Sequence, residues 1–215
     1  MRLRHVKGAK QKINNHPDLI VDHTPKTPLY LDKQFKDKAL HVEIGMGKGQ
    51  FIYELASRYP ECQFIGIERY DSVIVRALEK SIEAPLDNLL LVRADADYIS
   101  ELFSDNSIDR LYLNFSDPWP KNRHEKRRLT HHRYLREYER LLKSQAEIHF
   151  KTDNVELFEY SLESIKSYPM DLHFVTRDLH SEDVFNVMTE FEAKFKKLDK
   201  KIHKLVATFK EEKNG

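Results

Sequence analysis

The sequence holds one cysteine, Cys62, in 215 residues, so no intrachain disulfide can form and a reducing compartment suits it. Cys62 precedes an apolar run and reads as a small core or edge residue rather than a reactive thiol. No apolar run approaches the ~18 residues of a membrane-spanning helix. The basic residues near the start have no apolar signal core behind them. A cytoplasmic protein without a membrane partner is expected. Charge imbalance is also missing: 36 Lys and Arg face 35 Asp and Glu, and a net charge of +1 points to no partner. There is no Ser/His/Asp hydrolase signature, no internal repeat and no low-complexity segment. His124, His131 and His132 lie close together but lack a tight histidine–carboxylate ligand pattern, so no metal is expected.

What is present is an alternation. The length fits one domain with an arm. Residues 1–38 are polar and basic, with Pro17, Pro25 and Pro28, and read as a loosely packed N-terminal arm. From 39 to 215 a single domain is expected. Apolar runs predict strands at 39–44, 63–68, 89–93, 109–114 and 146–151, and near 172–176 and 204–209. Helical spacing predicts helices at 48–58, 71–83, 97–103, 126–143, 154–167 and 188–197. Strands alternating with amphipathic helices imply βαβ units, hence an α/β, doubly wound, Rossmann-like and mostly parallel sheet.

Glu43 lies near the end of the first strand, followed by Gly45, Gly47 and Gly49 at the start of a helix. Glycines at a strand-to-helix turn permit positive φ and let a ligand approach the backbone. Their G-x-G-x-G spacing is not the G-x-G-x-x-G dinucleotide fingerprint, and a simple tight turn is the plain alternative. Glu68 ends the second strand, where a carboxylate can accept two ribose hydroxyls. Asp95 and Asp117 follow the next two strands. Four strand-end acids in succession are better explained by one crevice than by four ordinary loops.

Asp117 opens the segment Asp117-Pro118-Trp119-Pro120-Lys121, and Arg123, His124, Glu125, Lys126, Arg127 and Arg128 follow closely. Each proline fixes its own φ and biases Asp117 and Trp119 toward extended geometry, which makes the turn stiff. Trp119 either stacks on a base or covers the sheet end. From 121 to 143 nine Lys and Arg face three Glu. Such a run is usually a solvated helix face; beside a candidate active loop it suits phosphates, which Arg forks meet well.

This segment closely resembles that of the bacterial tRNA (guanine-N7-)-methyltransferases. So do Glu43-Ile-Gly-x-Gly-x-Gly49, Gly66-Ile-Glu68, Lys151-Thr152-Asp153 and the stretch Thr189-Glu190-Phe191-Glu192, in the same order along the chain. The resemblance implies a class I S-adenosylmethionine-dependent methyltransferase with a seven-stranded sheet and an antiparallel last strand. It implies that Glu43, Gly45, Gly47, Gly49, Glu68, Asp95 and Asp117 line the S-adenosylmethionine site. Lys121, Asp153, Thr189, Glu190, Phe191 and Glu192 would meet the substrate, and residues 123–128 would bind tRNA.

The residue chemistry is compatible. Guanine N7 carries a free lone pair, and methylation places positive charge on the base. Asp117 is assigned to stabilise that charge. Asp153 or Glu192 would accept the Watson–Crick-edge donors of guanine; Asp153 would otherwise be a helix N-cap. Two rivals remain at this point: a nicotinamide-dependent oxidoreductase, against which the glycine spacing and the cationic loop argue, and an RNA-binding protein without catalysis, against which the full set of strand-end acids argues. A monomer and a homodimer are both compatible with the sequence.

Overall fold

The structure is a computed structural model that describes residues 6–35 and 38–211. Residues 1–5 and 36–37 of the expected arm, and 212–215, lie outside the described residues. The chain forms two compact units, Met1–Ser104 and Asp105–Gly215.

In the first unit, α1 (Ala9–Asn14) and β1 (Ile20–Asp22) precede β2 (Leu40–Ile44), α2 (Gln50–Arg58), β3 (Gln63–Glu68), α3 (Asp71–Glu83), β4 (Leu89–Arg93) and α4 (Ile99–Leu102). The strands are all parallel, in the order β1-β4-β3-β2. Parallel strands are covered on both faces, so they read as continuous apolar runs, and every residue of β3 is buried. In α3 the buried Ile74, Val75, Ala77, Leu78 and Ser81 form one stripe at helical spacing.

The described part of 1–38 is packed, not loose. Ile13, Ile20 and Leu31 are buried, and Lys12 bonds Glu79 of α3 at 3.0 Å. β1 pairs with β4, and the Arg93 fork holds both carboxylate oxygens of Asp22 at 2.8 Å. A three-residue strand is too short to reveal itself by alternation.

The second unit carries β5 (Ile108–Asn114), α5 (His132–Leu141), β6 (Leu142–Thr152), α6 (Val155–Ser167), β7 (Met170–Thr176), α7 (Glu190–Lys196) and β8 (His203–Phe209). Its strand order is β5-β6-β8-β7: β5 and β6 run parallel, and β8 is antiparallel to both β6 and β7. Eight strands therefore occur among the described residues, one more than the seven expected, and β1 is the additional one.

Two helix boundaries differ from expectation. The helix expected over 97–103 is a 3-10 turn, Ala96–Tyr98, running into α4. The helix expected over 126–143 begins only at His132; before it lies a 3-10 helix, Asn122–Arg127, then extended backbone at Arg128. Thr130 is buried and shares a 2.7 Å hydrogen bond with Ser161 of α6, a contact that a continuous helix would break. Among the described residues no helix is long and apolar enough to cross a membrane, and no group of three or more His, Cys, Asp or Glu is placed to hold a metal ion.

Candidate active site

In the first unit the turn between β2 and α2 is built from left-handed glycines: Gly45, Gly47 and Gly49 have φ of 74°, 62° and 76°. They serve different ends. A Cβ on Gly49 would lie 2.9 Å from the Ala77 Cβ, so this position allows α2 to approach α3. A Cβ on Gly45 or Gly47 would meet nothing within 4 Å, so these two leave open space above the backbone. The Gly45 and Met46 amides both donate to the Ile67 carbonyl, at 2.8 and 3.0 Å, which ties the turn to the end of β3.

Glu68 closes the same turn from the other side. Its Oε2 accepts from the Gly47 amide at 3.2 Å, and its Oε1 accepts from the amides of Arg69 and Tyr70 at 2.8 and 3.0 Å. The side chain is buried, and burial pushes its pKa up despite these hydrogen bonds and the neighbouring Arg69 charge. Glu43 is buried in β2, opposite Gly66 of β3. Asp95 caps the 3-10 turn after β4 by accepting from the Asp97 amide at 3.1 Å, and it pairs with Arg69 at 3.1 Å. Two bare glycines beside buried and half-buried acceptors suit a ligand with vicinal hydroxyls and cationic groups, so this chemistry fits a sulfonium nucleoside.

In the second unit Asp117 is exposed in the segment after β5. The expected extended backbone before Pro120 is not observed: Trp119 has φ 43°, and Phe115 has φ 51°. A left-handed residue ahead of proline is costly and must be held from outside. Arg128 does this. Its Nε and Nη2 donate to the carbonyls of Pro118 and Trp119, both at 3.2 Å, while its guanidinium lies 4.2 Å from the Tyr160 ring centroid. Arg127 stacks over the Trp119 indole at 4.8 Å, and His124 meets it edge-on.

The cationic block therefore divides. Lys121, Arg123, Lys126 and Arg127 are exposed, whereas Arg128 is committed to the loop backbone and is not a free phosphate ligand. Glu125 interacts with the Tyr160 hydroxyl; burial and the Glu125 charge together push that phenol up to about 12. Glu125 thus belongs to the loop's support.

At the far end of β6, Lys151 is nearly buried and all three of its ammonium donors are used. They reach Glu192 Oε2 at 2.7 Å, the Val187 carbonyl at 2.9 Å and Asn186 Oδ1 at 3.2 Å. Glu192, at 0 % exposure, also binds Asn186 and His180 through Oε1. Burial raises its pKa, but the Lys151 charge and the hydrogen bonds from Lys151, Asn186 and His180 prevail and hold it below the usual carboxylate range. Glu192 is consequently sealed inside and does not face a base edge. Thr189 caps α7 by accepting from the Glu192 amide at 3.0 Å. Glu190 and Phe191 are exposed, and Phe191 stacks with Phe115 and Phe195.

Asp153 is partly open and pairs with Lys200 at 3.3 Å. It is not the N-cap of α6; Asn154 is, accepting from the Leu157 amide at 2.7 Å. Sequence reasoning missed the clamping roles of Arg128 and Lys151. A lysine placed among the buried residues of a strand was the available signal, since such a charge needs a partner.

A family model described as "Putative methyltransferase" matches residues 37–205. A tRNA (guanine-N(7)-)-methyltransferase of Bacillus cytotoxicus is 45 % identical over 214 residues, covering 99 % of each chain. One from Halalkalibacterium halodurans is 46 % identical over 212 residues, covering 98 % of this chain and 96 % of the other. This chain belongs to the bacterial tRNA (guanine-N7-)-methyltransferase family. It is a class I methyltransferase, and its cofactor is S-adenosylmethionine. The fold agrees: the crystal structure of the 16S rRNA methyltransferase KamB matches with a TM-score of 0.63 at 15 % identity, covering 85 % of this chain and 95 % of that one. The methyltransferase carries its glycine turn, Glu43, Glu68 and Asp95 in the first unit, and Asp117, the cationic block, Asp153 and 189–192 in the second.

Proposed function

We propose that this enzyme moves a methyl group from S-adenosylmethionine to N7 of a guanosine in tRNA, in the variable loop, giving 7-methylguanosine. The reading is carried by 45–46 % identity to tRNA (guanine-N(7)-)-methyltransferases over nearly the whole chain. It is supported by a glycine turn left open at Gly45 and Gly47 beside the buried Glu68.

Glu68 accepts the ribose hydroxyls, Glu43 and Asp95 supply negative potential around the rest of the nucleoside, and Gly45 and Gly47 admit it to the backbone. When bound, the cofactor supplies an electrophilic methyl group. Asp117 sits exposed on a braced loop and stabilises the positive charge that grows on the purine. N7 needs no deprotonation, so the reaction asks for alignment and a fixed negative charge rather than a general base. Asp153 accepts from the guanine Watson–Crick edge; Glu192, being sealed, positions 186–192 instead. Lys121, Arg123, Lys126 and Arg127 contact phosphates. The enzyme works in the cytoplasm, as a monomer or a homodimer.

The test is incubation with labelled S-adenosylmethionine and unmodified tRNA, followed by nucleoside mapping. Label is expected in 7-methylguanosine, and label in any other nucleoside refutes the reading. Asp117→Asn should slow single-turnover transfer by about 10²-fold, the scale of losing one fixed electrostatic partner, with cofactor and tRNA still bound.

A further inference from the structure

Gly66 stands in the interior of β3, where a glycine weakens the strand and marks a close approach by another group. That group is the side chain of Met46. A Cβ on Gly66 would overlap the Met46 Sδ, with the Met46 Cγ at 3.4 Å and Ile52 Cγ2 of α2 at 3.2 Å. No side chain at 66 can share this volume with the thioether. Met46 is 5 % exposed, although Gly45 before it is exposed and Gly47 after it is half-buried. Its Sδ also lies 3.7 Å from the place a Gly49 Cβ would take. The slot thus has Gly66 as its floor and Gly49 and Ile52 as its walls. An unbranched side chain with a soft sulfur can thread such a slot, where a branched one would clash.

The backbone around Met46 is tied to β3 and α2. Its amide donates to the Ile67 carbonyl at 3.0 Å, and its carbonyl accepts from the Gly49 amide at 3.0 Å. One residue further on, the Gly47 amide reaches Glu68 Oε2 at 3.2 Å. The buried side chain therefore sets the height of the turn above β3. That height fixes the open space at Gly45 and Gly47, and it fixes the distance from Gly47 to the carboxylate. Lifting Met46 out of the slot would push the crest of the turn into this space.

We propose that Met46, seated in the notch at Gly66, is a positioning residue for S-adenosylmethionine. It holds the glycine turn down so that the nucleoside can cross Gly45 and Gly47 and reach Glu68. This rests on the cofactor roles given above to Glu68, Gly45 and Gly47. Gly66 is required by the turn that lies over it, and the two motifs Glu43–Gly49 and Gly66–Glu68 work as one device.

The experiment measures the affinity of the full chain for S-adenosylmethionine by calorimetry, with melting temperature, tRNA affinity and steady-state methyl transfer alongside. Gly66→Ala must displace the sulfur, and cofactor affinity should fall about 10- to 100-fold, the scale of losing a charge-assisted hydrogen bond. The KM for S-adenosylmethionine should rise by a similar factor while tRNA affinity stays at the wild-type value. Met46→Ala alone empties the slot and should also weaken the cofactor. Combining Met46→Ala with Gly66→Ala should restore most of the affinity, because the added methyl takes the place that the sulfur vacates. Leu102→Ala, a core truncation in α4, should lower the melting temperature and leave cofactor affinity unchanged. Wild-type affinity in Gly66→Ala overturns this proposal and leaves the methyltransferase reading intact. So does an affinity that simply tracks melting temperature across the variants. If Gly66→Ala does not fold, the double variant decides: near wild-type affinity supports the proposal, and affinity no better than that of Met46→Ala overturns it. A wild-type chain that takes up no S-adenosylmethionine removes the cofactor roles and this proposal with them.

Discussion

Lys151→Met should be among the most damaging single substitutions outside the apolar core. The change removes an ammonium whose three donors reach Glu192, Asn186 and the Val187 carbonyl, and it leaves the Glu192 carboxylate at 0 % exposure with Asn186 and His180 as its side-chain partners. Removing one member of a buried pair costs about 3–5 kcal/mol, a large part of the ~5–15 kcal/mol that holds a domain folded. Glu192→Gln should cost less, about 2 kcal/mol, because the amide keeps the shape and one acceptor. The double variant Lys151→Met with Glu192→Leu removes both charges and should be more stable than Lys151→Met alone. Urea unfolding followed by circular dichroism gives these values. The pair also sets a pH limb. The folded pKa of Glu192 lies below its unfolded value, so its contribution is complete above about pH 4.5 and disappears as pH falls through the folded pKa. Single variants within about 1 kcal/mol of wild type, or a double variant that loses the sum of both, would refute the clamp.

Glu68→Gln should weaken S-adenosylmethionine binding at least tenfold by calorimetry, yet change unfolding stability by less than about 1 kcal/mol. Burial already penalises the charged form in the folded protein, so losing the charge offsets the missing hydrogen bond at the Gly47 amide; a large drop in stability would mean that the carboxylate is structural. Arg128→Lys should impair methyl transfer and shift the emission of Trp119, the only tryptophan, while the salt dependence of tRNA binding stays put. Arg123→Ala with Lys126→Ala should do the reverse, flattening the slope by about 0.7–0.9 per phosphate while the indole environment remains unchanged, and identical behaviour of the two variants would dissolve the distinction between Arg128 and its neighbours.

The parallel core was readable almost to the residue because strands covered on both faces must be apolar throughout; β3 and α3 fall where expected. The residues after Pro120 were not. Their composition favours a helix, but Arg128 is drawn back onto the Pro118 and Trp119 carbonyls and Thr130 onto Ser161, and these long-range contacts outweigh propensity. The left-handed Trp119 was illegible for the same reason: local rules for a residue before proline do not include the guanidinium that holds it. In the site, the residue types were legible and their partners were not. Lys151 and Glu192 lie 41 positions apart, and nothing in the intervening sequence signals that they meet. Glu192 therefore passed for a base reader when it is a buried anchor.

The small strand β1 has a consequence for how this chain can be handled. β4 offers Leu89, Leu90, Leu91 and Val92 in succession, and β1 occupies one of its two flanks. A chain shortened to begin near residue 39 would keep every motif of the active site and lose that cover. The bared flank would present unpaired backbone groups along Leu91, Val92 and Arg93, an adhesive edge for another copy of itself. Arg93, deprived of Asp22, would retain Asp71 as its carboxylate neighbour, a neutral pair that adds no net charge to deter stacking at that strand. The N-terminal residues thus act as a guard for solubility, and a shortened enzyme would fail by clumping before its chemistry could be measured.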